Sequence, residues 1–125
     1  MLGGYVDASG QPWVQLALVG SQGQVVVCEV IIDTGFDGGL CLPRFFAEQV
    51  ALYEVGTQRV ELADGSQHVE PLFLGEVVFD GVRQWVDISV TQGADALLGT
   101  VLLQDYQLEI RFRSRTVVLR KEETG

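Results

Sequence analysis

Val30-Ile31-Ile32-Asp33-Thr34-Gly35-Phe36-Asp37-Gly38-Gly39 is the stretch on which the reading of this chain turns. An apolar, largely β-branched run ends abruptly in an acid, a hydroxyl and a glycine. A carboxylate therefore stands at the end of a rigid element, with a backbone able to turn sharply behind it. In that position it costs free energy unless it is hydrogen-bonded or paired, and acids held in such settings concentrate at functional sites. Taken alone, Asp33-Thr34-Gly35 also reads as an ordinary turn, since all three residue types favour turns. The chain on either side decides between the two.

Outward from this stretch, short β-type runs alternate with Gly and Asp. Trp13 to Val19 and Val25 to Ile32 form two antiparallel neighbours across Gly20-Ser21-Gln22-Gly23. Arg59 to Ala63 and Gln67 to Leu74 flank Asp64-Gly65, a dipeptide that accepts the positive φ of a tight hairpin, and Asp80-Gly81 repeats the signal. From Trp85 to Thr91, Val86, Ile88 and Val90 alternate with Asp87, Ser89 and Thr91, the pattern of a half-buried strand. Leu108, Ile110 and Phe112 alternate with Glu109, Arg111 and Arg113, and Thr116 to Arg120 returns as a partner. Two segments read as helices. One is Arg44 to Tyr53 behind Pro43, with Phe46, Val50 and Tyr53 on one face; the other is Thr100 to Tyr106, N-capped by Thr100 with Leu102, Leu103 and Tyr106 inward. About eight strands and two helices are expected, with no internal repeat or linker.

The chain has 125 residues, 47% of them hydrophobic and 20% charged, which suits one globular domain over 1–125 and leaves no room for a second. Lys and Arg number 8 against 17 Asp and Glu, so a net charge of −9 opposes nucleic acid and anionic membrane surfaces, and neither is expected as a partner. The basic residues cluster at Arg111, Arg113, Arg115, Arg120 and Lys121, where they read as a solvated strand face. Glu29 and Asp33 interrupt the longest apolar stretch, far short of a membrane helix. Met1 to Tyr5 lacks the regions of a signal peptide, and the expected compartment is the cytoplasm. Cys28 and Cys41 with the lone His68 make a poor zinc set, so buried thiols are expected, with no metal and no cofactor.

Ala96-Leu97-Leu98-Gly99, downstream of Asp33 and just before the second expected helix, changes the weight of the first motif. Together they make the chain resemble the retropepsin-like aspartic proteases, single-lobed relatives of pepsin. In that family an Asp-Thr/Ser-Gly loop follows an apolar strand, a flap hairpin comes in mid-chain, and an apolar-apolar-Gly strand leads into a helix before the last strands. Here the order is Ile31-Ile32-Asp33-Thr34-Gly35, then Arg59 to Leu74 with its tip at Ala63-Asp64-Gly65-Ser66, then Leu97-Leu98-Gly99 and Thr100 to Tyr106. The likeness covers about residues 13 to 120, and Asp33-Thr34-Gly35-Phe36 followed by Leu40-Cys41-Leu42-Pro43 is similar to small bacterial members.

The resemblance implies an all-β, mainly antiparallel fold: a closed or partly open acid-protease-like barrel with two short helices. It also implies an aspartic endopeptidase without cofactor, acting on extended peptide or protein substrates. Such chemistry needs two carboxylates sharing one proton, since like charges so close do not both ionise. Asp64-Gly65 and Asp80-Gly81 lack the hydroxyl residue and apolar lead-in, so the dyad requires Asp33 from each half of a homodimer on a twofold axis. By resemblance Thr34 braces the two loops, Gly35 offers its backbone to substrate, and Ala63, Asp64, Gly65 and Ser66 close over it. Phe36, Asp37, Leu97 and Leu98 line its site. Viral members carry Arg after the apolar-apolar-Gly triplet, pairing with an acid two residues beyond the catalytic glycine; this chain keeps Asp37 but has Thr100 there. The rival reading is a non-catalytic dimeric module of the same fold that grips peptides without cutting them. A small barrel for an apolar ligand explains the strands but not the paired motifs.

Overall fold

Alternating apolar residues bring ten strands into one sheet in the computed structural model, which describes residues 1–123. In chain order these are β1 (Leu2–Val6), β2 (Pro12–Val19), β3 (Val25–Ile32), β4 (Leu40–Pro43), β5 (Tyr53–Glu61), β6 (Gln67–Phe79), β7 (Val82–Thr91), β8 (Ala96–Leu98), β9 (Tyr106–Arg111) and β10 (Thr116–Lys121). The order across the sheet is β5-β6-β7-β4-β8-β3-β2-β1-β10-β9, and β6 also pairs with β2 through Ala17↔Val78 and Leu18↔Val77. That extra pairing closes β2, β3, β8, β4, β7 and β6 into a six-stranded barrel, so the fold is the mainly antiparallel all-β barrel that the resemblance implies. Leu18, Leu40, Leu42, Val77, Phe79, Ile88 and Leu98 are fully buried inside it. Each such side chain contributes about 1.5–3 kcal/mol by leaving water.

Turn chemistry sets the registers. Gly23 takes φ +79 between β2 and β3, and Asp80 and Gly81 take φ 50 and 76, the double left-handed turn that matches strand twist, between β6 and β7. Gly65 takes φ +84 at the tip of the β5–β6 hairpin, where Leu62 and Ser66 still pair.

Both expected helices are corrected. The first is a single turn, α1 (Arg44–Ala47), and Tyr53 already belongs to β5. Gln49 and Val50 donate back only three residues, to Phe46 and Ala47, and the chain then straightens with Val50 buried and Leu52 packed on the core. A second turn of helix would draw Leu52 and the β-favouring Tyr53 away from the sheet. Thr100 to Tyr106 is a run of turns rather than a helix, with Leu103 and Tyr106 bonding back to Thr100 and Leu103. β9 begins at Tyr106, and the short segment between Gly99 and that strand leaves little length for an i→i+4 ladder. Leu102 is buried as expected. Phe112, expected to face inward, is instead exposed in the turn after β9.

β1 and β4 lie outside the expected strands. The Gly3-Gly4 pair hides β1 from a propensity reading, yet Gly4 is a packing requirement, because a Cβ there would collide with the carbonyl oxygen of Trp13 on β2.

Asp7 anchors the turn from β1 to β2. Its carboxylate accepts hydrogen bonds from the backbone N–H of Ser9 and Gln11, the Ser9 hydroxyl and the Trp13 indole, the last at 2.7 Å. The Trp13 indole, with these other donors, holds its pKa down to about 2 from 3.8. The donors stabilise the ionised form, so this contribution is complete above pH 3.8 and is lost as pH falls through about 2. Asp7→Asn should flatten the rise of stability with pH across that window, read as urea midpoints; an unchanged slope would place the acid sensitivity elsewhere.

Candidate active site

β3 delivers Asp33 to one end of the barrel. Its apolar residues Val30, Ile31 and Ile32 are buried and pair in parallel with Ala96, Leu97 and Leu98 of β8. The backbone N–H of Asp33 continues that ladder by donating to the Leu98 carbonyl at 2.9 Å. Beyond it the chain reverses: Phe36 N–H donates to the Asp33 carbonyl at 3.1 Å, and Gly35 N–H donates to Asp33 Oδ1 at 3.0 Å. The carboxylate is thus oriented from its own loop. Asp33 is half-buried, whereas Thr34 and Gly35 are exposed at the turn.

The loop after Asp33 is stitched to the end of β8. Gly99 N–H donates to the Gly39 carbonyl at 2.8 Å, Thr100 N–H to Phe36 at 2.9 Å and Val101 N–H to Gly38 at 3.2 Å. Three backbone bonds therefore fasten the loop after Asp33 to the residues that follow β8. Phe36 lies over two glycines of this junction: a Cβ on Gly38 would sit 2.6 Å from Phe36 Cε1, and one on Gly99 would sit 2.8 Å from Phe36 Cδ2. The large ring occupies space that two missing side chains leave free.

Asp33 faces a cleft of about 1090 Å³. Phe36, Asp37, Cys41, Ser89 and Leu97 form its floor, and the β5–β6 hairpin contributes Gln58 to Leu62, His68, Glu70 and Pro71 above it. Asp33, Asp37, Glu61 and Glu70 give it four carboxylates against the single guanidinium of Arg59. Leu98, expected beside substrate, is fully buried in the core and acts through its carbonyl, which holds Asp33; its neighbour Leu97 lines the cleft. Ala63, Asp64, Gly65 and Ser66 lie at the hairpin tip, past the stem residues that line the cleft. That tip is ordered by Asp64 Oδ1, which accepts the Ser66 N–H at 2.9 Å and the Ser66 hydroxyl at 2.6 Å; the hydroxyl, with the amide, lowers the Asp64 pKa.

Cys41 and Ser89 are cleft residues that sequence reasoning missed. Asp87, Ser89 and Thr91 read as the polar side of a half-buried strand, and that side, at Ser89 and Thr91, is the cleft floor rather than open surface. Their regular alternation carried the signal. Cys41 pairs with both Ser89 and Leu97 across the sheet, and burial pushes its thiol pKa up, so it stays a neutral, weakly nucleophilic group. Cys28 is fully buried and is pushed up to about 11 by the same cause.

No family model and no curated protein matches the chain. Among solved structures it is similar to a foamy viral protease-reverse transcriptase in complex with an RNA/DNA hybrid, with a TM-score of 0.54 and 13% identity over 78% of this chain. The chain spans 13% of the length of that protein. At such identity the likeness is one of fold, and it supports a retropepsin-like fold for the barrel. No helix among the described residues is long and apolar enough to cross a membrane.

The glycine junction makes two substitutions behave differently. A Cβ on Gly38 meets only the Phe36 ring, whereas one on Gly99 also strikes the Gly38 carbonyl. Gly38→Ala should destabilise by about 1–3 kcal/mol, and most of that should vanish in a Phe36→Ala background. Gly99→Ala should destabilise on both backgrounds. Urea unfolding of the four variants checks this, and equal rescue of both glycines would contradict the packing described.

Proposed function

We propose that the chain is an aspartic endopeptidase whose water is activated by two Asp33 side chains, one from each subunit of a homodimer. The observation that carries this reading is the setting of Asp33. Its backbone is fixed by Leu98, one carboxylate oxygen is fixed by Gly35 N–H, and it opens into a cleft with a β-hairpin above it. A single ionised carboxylate is a weak base with no acid beside it. Two that share a proton supply both roles: the ionised member takes a proton from water as it attacks, and the protonated member donates to the carbonyl oxygen of the scissile bond. The pair, rather than either residue, then owns the two apparent pKa values.

The remaining parts fit that chemistry. Thr34 is exposed beside Asp33, where a hydroxyl can reach the partner's loop across a twofold axis. The exposed Gly35 backbone and the hairpin stem can accept an extended peptide as an added strand. Closure of the hairpin would exclude water from the reacting centre, and this movement is assigned to the Ala63–Ser66 tip.

Cleavage mapping of a diverse peptide library by mass spectrometry between about pH 4 and 7, the working range of a proton-sharing dyad, tests the proposal. Asp33→Asn should lower every cleavage rate by about a thousandfold or more while leaving folding intact. Sedimentation of the active species should show a dimer. An active monomer would overturn the shared dyad, and a folded dimer that cuts nothing at any pH would favour a peptide-gripping module of the same fold.

A further inference from the structure

The cleft does not end at the residues nearest Asp33. β4 and β7 run parallel, with Cys41 opposite Ser89 and Pro43 opposite Thr91. Side chains two apart on a strand share a face, so Pro43 and Thr91 continue the surface that Cys41 and Ser89 begin, about 7 Å further along. A second hollow of about 590 Å³ opens there, bounded by Pro43, Arg44 and Phe45 on one side and by the Thr91–Ala94 loop on the other. It shares Thr91 and Gln92 with the cleft of Asp33.

Phe45 stands at its edge with 69% of its surface exposed, while the adjoining Phe46 packs on the core and meets it edge-on at 5.3 Å. The backbone under Phe45 is restrained, since Gln49 Nε2 donates to its carbonyl at 3.1 Å. The facing loop is restrained too, because Gly93 N–H donates to Thr91 Oγ1 at 3.0 Å. One hydrogen bond thus restrains the backbone on each side of the hollow. From this geometry we infer that the Phe45 hollow is a distal subsite that takes a bulky apolar side chain of the bound peptide, several residues from the scissile bond. The inference rests on the endopeptidase reading and adds a specificity determinant to it. An extended peptide along the β4–β7 pair presents alternate side chains to this surface, so its reach to Phe45 depends on its length.

The test compares two peptides with the same cleavable core, one extended by flanking residues bearing a Leu or Phe scanned through each position and one ending at the core. Wild type should favour the best extended peptide by about tenfold in kcat/KM, carried mainly by KM. Phe45→Ala should bring that ratio close to one, and Phe45→Leu should restore most of it. The same two peptides, labelled and titrated by fluorescence anisotropy onto the Asp33→Asn chain with and without Phe45→Ala, read the subsite without cleavage. A ratio that Phe45→Ala leaves unaltered in both measurements overturns the subsite. Absence of cutting by every chain overturns the endopeptidase reading, and the anisotropy ratio then decides the subsite alone.

Discussion

The hydrogen bond from Asp33 N–H to the Leu98 carbonyl, at 2.9 Å, is the last rung of the parallel ladder between β3 and β8. Everything distinctive about the site hangs from it. Ahead of that rung, Cys28, Val30 and Ile32 are buried while Val27 and Glu29 are exposed, so a shift by one residue would turn the buried face of the strand outward. Behind it, the loop closes on itself through Gly35 and Phe36 and is fastened to Gly99, Thr100 and Val101. The carboxylate is placed by backbone alone, with no charged partner in its own loop.

Packing explains why the neighbouring residues are what they are. Phe36 is large because Gly38 and Gly99 are small, and Gly99 is small for a second reason, its close approach to the Gly38 carbonyl. One aromatic ring therefore serves the wall of the cleft and the seam between two loops at once. Where charge pairing between side chains would hold these loops, main-chain hydrogen bonds do so instead, and they are indifferent to pH and salt.

Much of this was legible in the sequence because the signals were local. β2, β3 and β7 and the Asp64-Gly65 and Asp80-Gly81 turns followed from alternation and from residues that accept positive φ, while the barrel followed from the order of the motifs that carry the resemblance. The motif at Asp33 and the triplet at Leu97-Leu98-Gly99 do meet in space, through β3 and β8. What stayed hidden depended on partners far along the chain. β1 carries two glycines, one of which, Gly4, is required by the proximity of Trp13. The segments after Pro43 and Thr100 have apolar spacing that suits a helix, but competing strand pairing and loop hydrogen bonds claim their backbones. Ser89 and Cys41 became cleft residues only once β4 lay between β7 and β8.

The barrel is closed by a seam of only two residue pairs, Ala17↔Val78 and Leu18↔Val77, whose members are about sixty positions apart. The contact that fixes Asp33 spans a similar distance to Leu98. Joining such remote segments carries a loop-closure entropy that no local interaction offsets in advance, and chains dominated by non-local pairings fold slowly. The hairpins at Gly23, Gly65 and Gly81 join near neighbours in the chain, yet none of them orients the carboxylate. Order at the site is thus a property of the finished topology rather than of any local element.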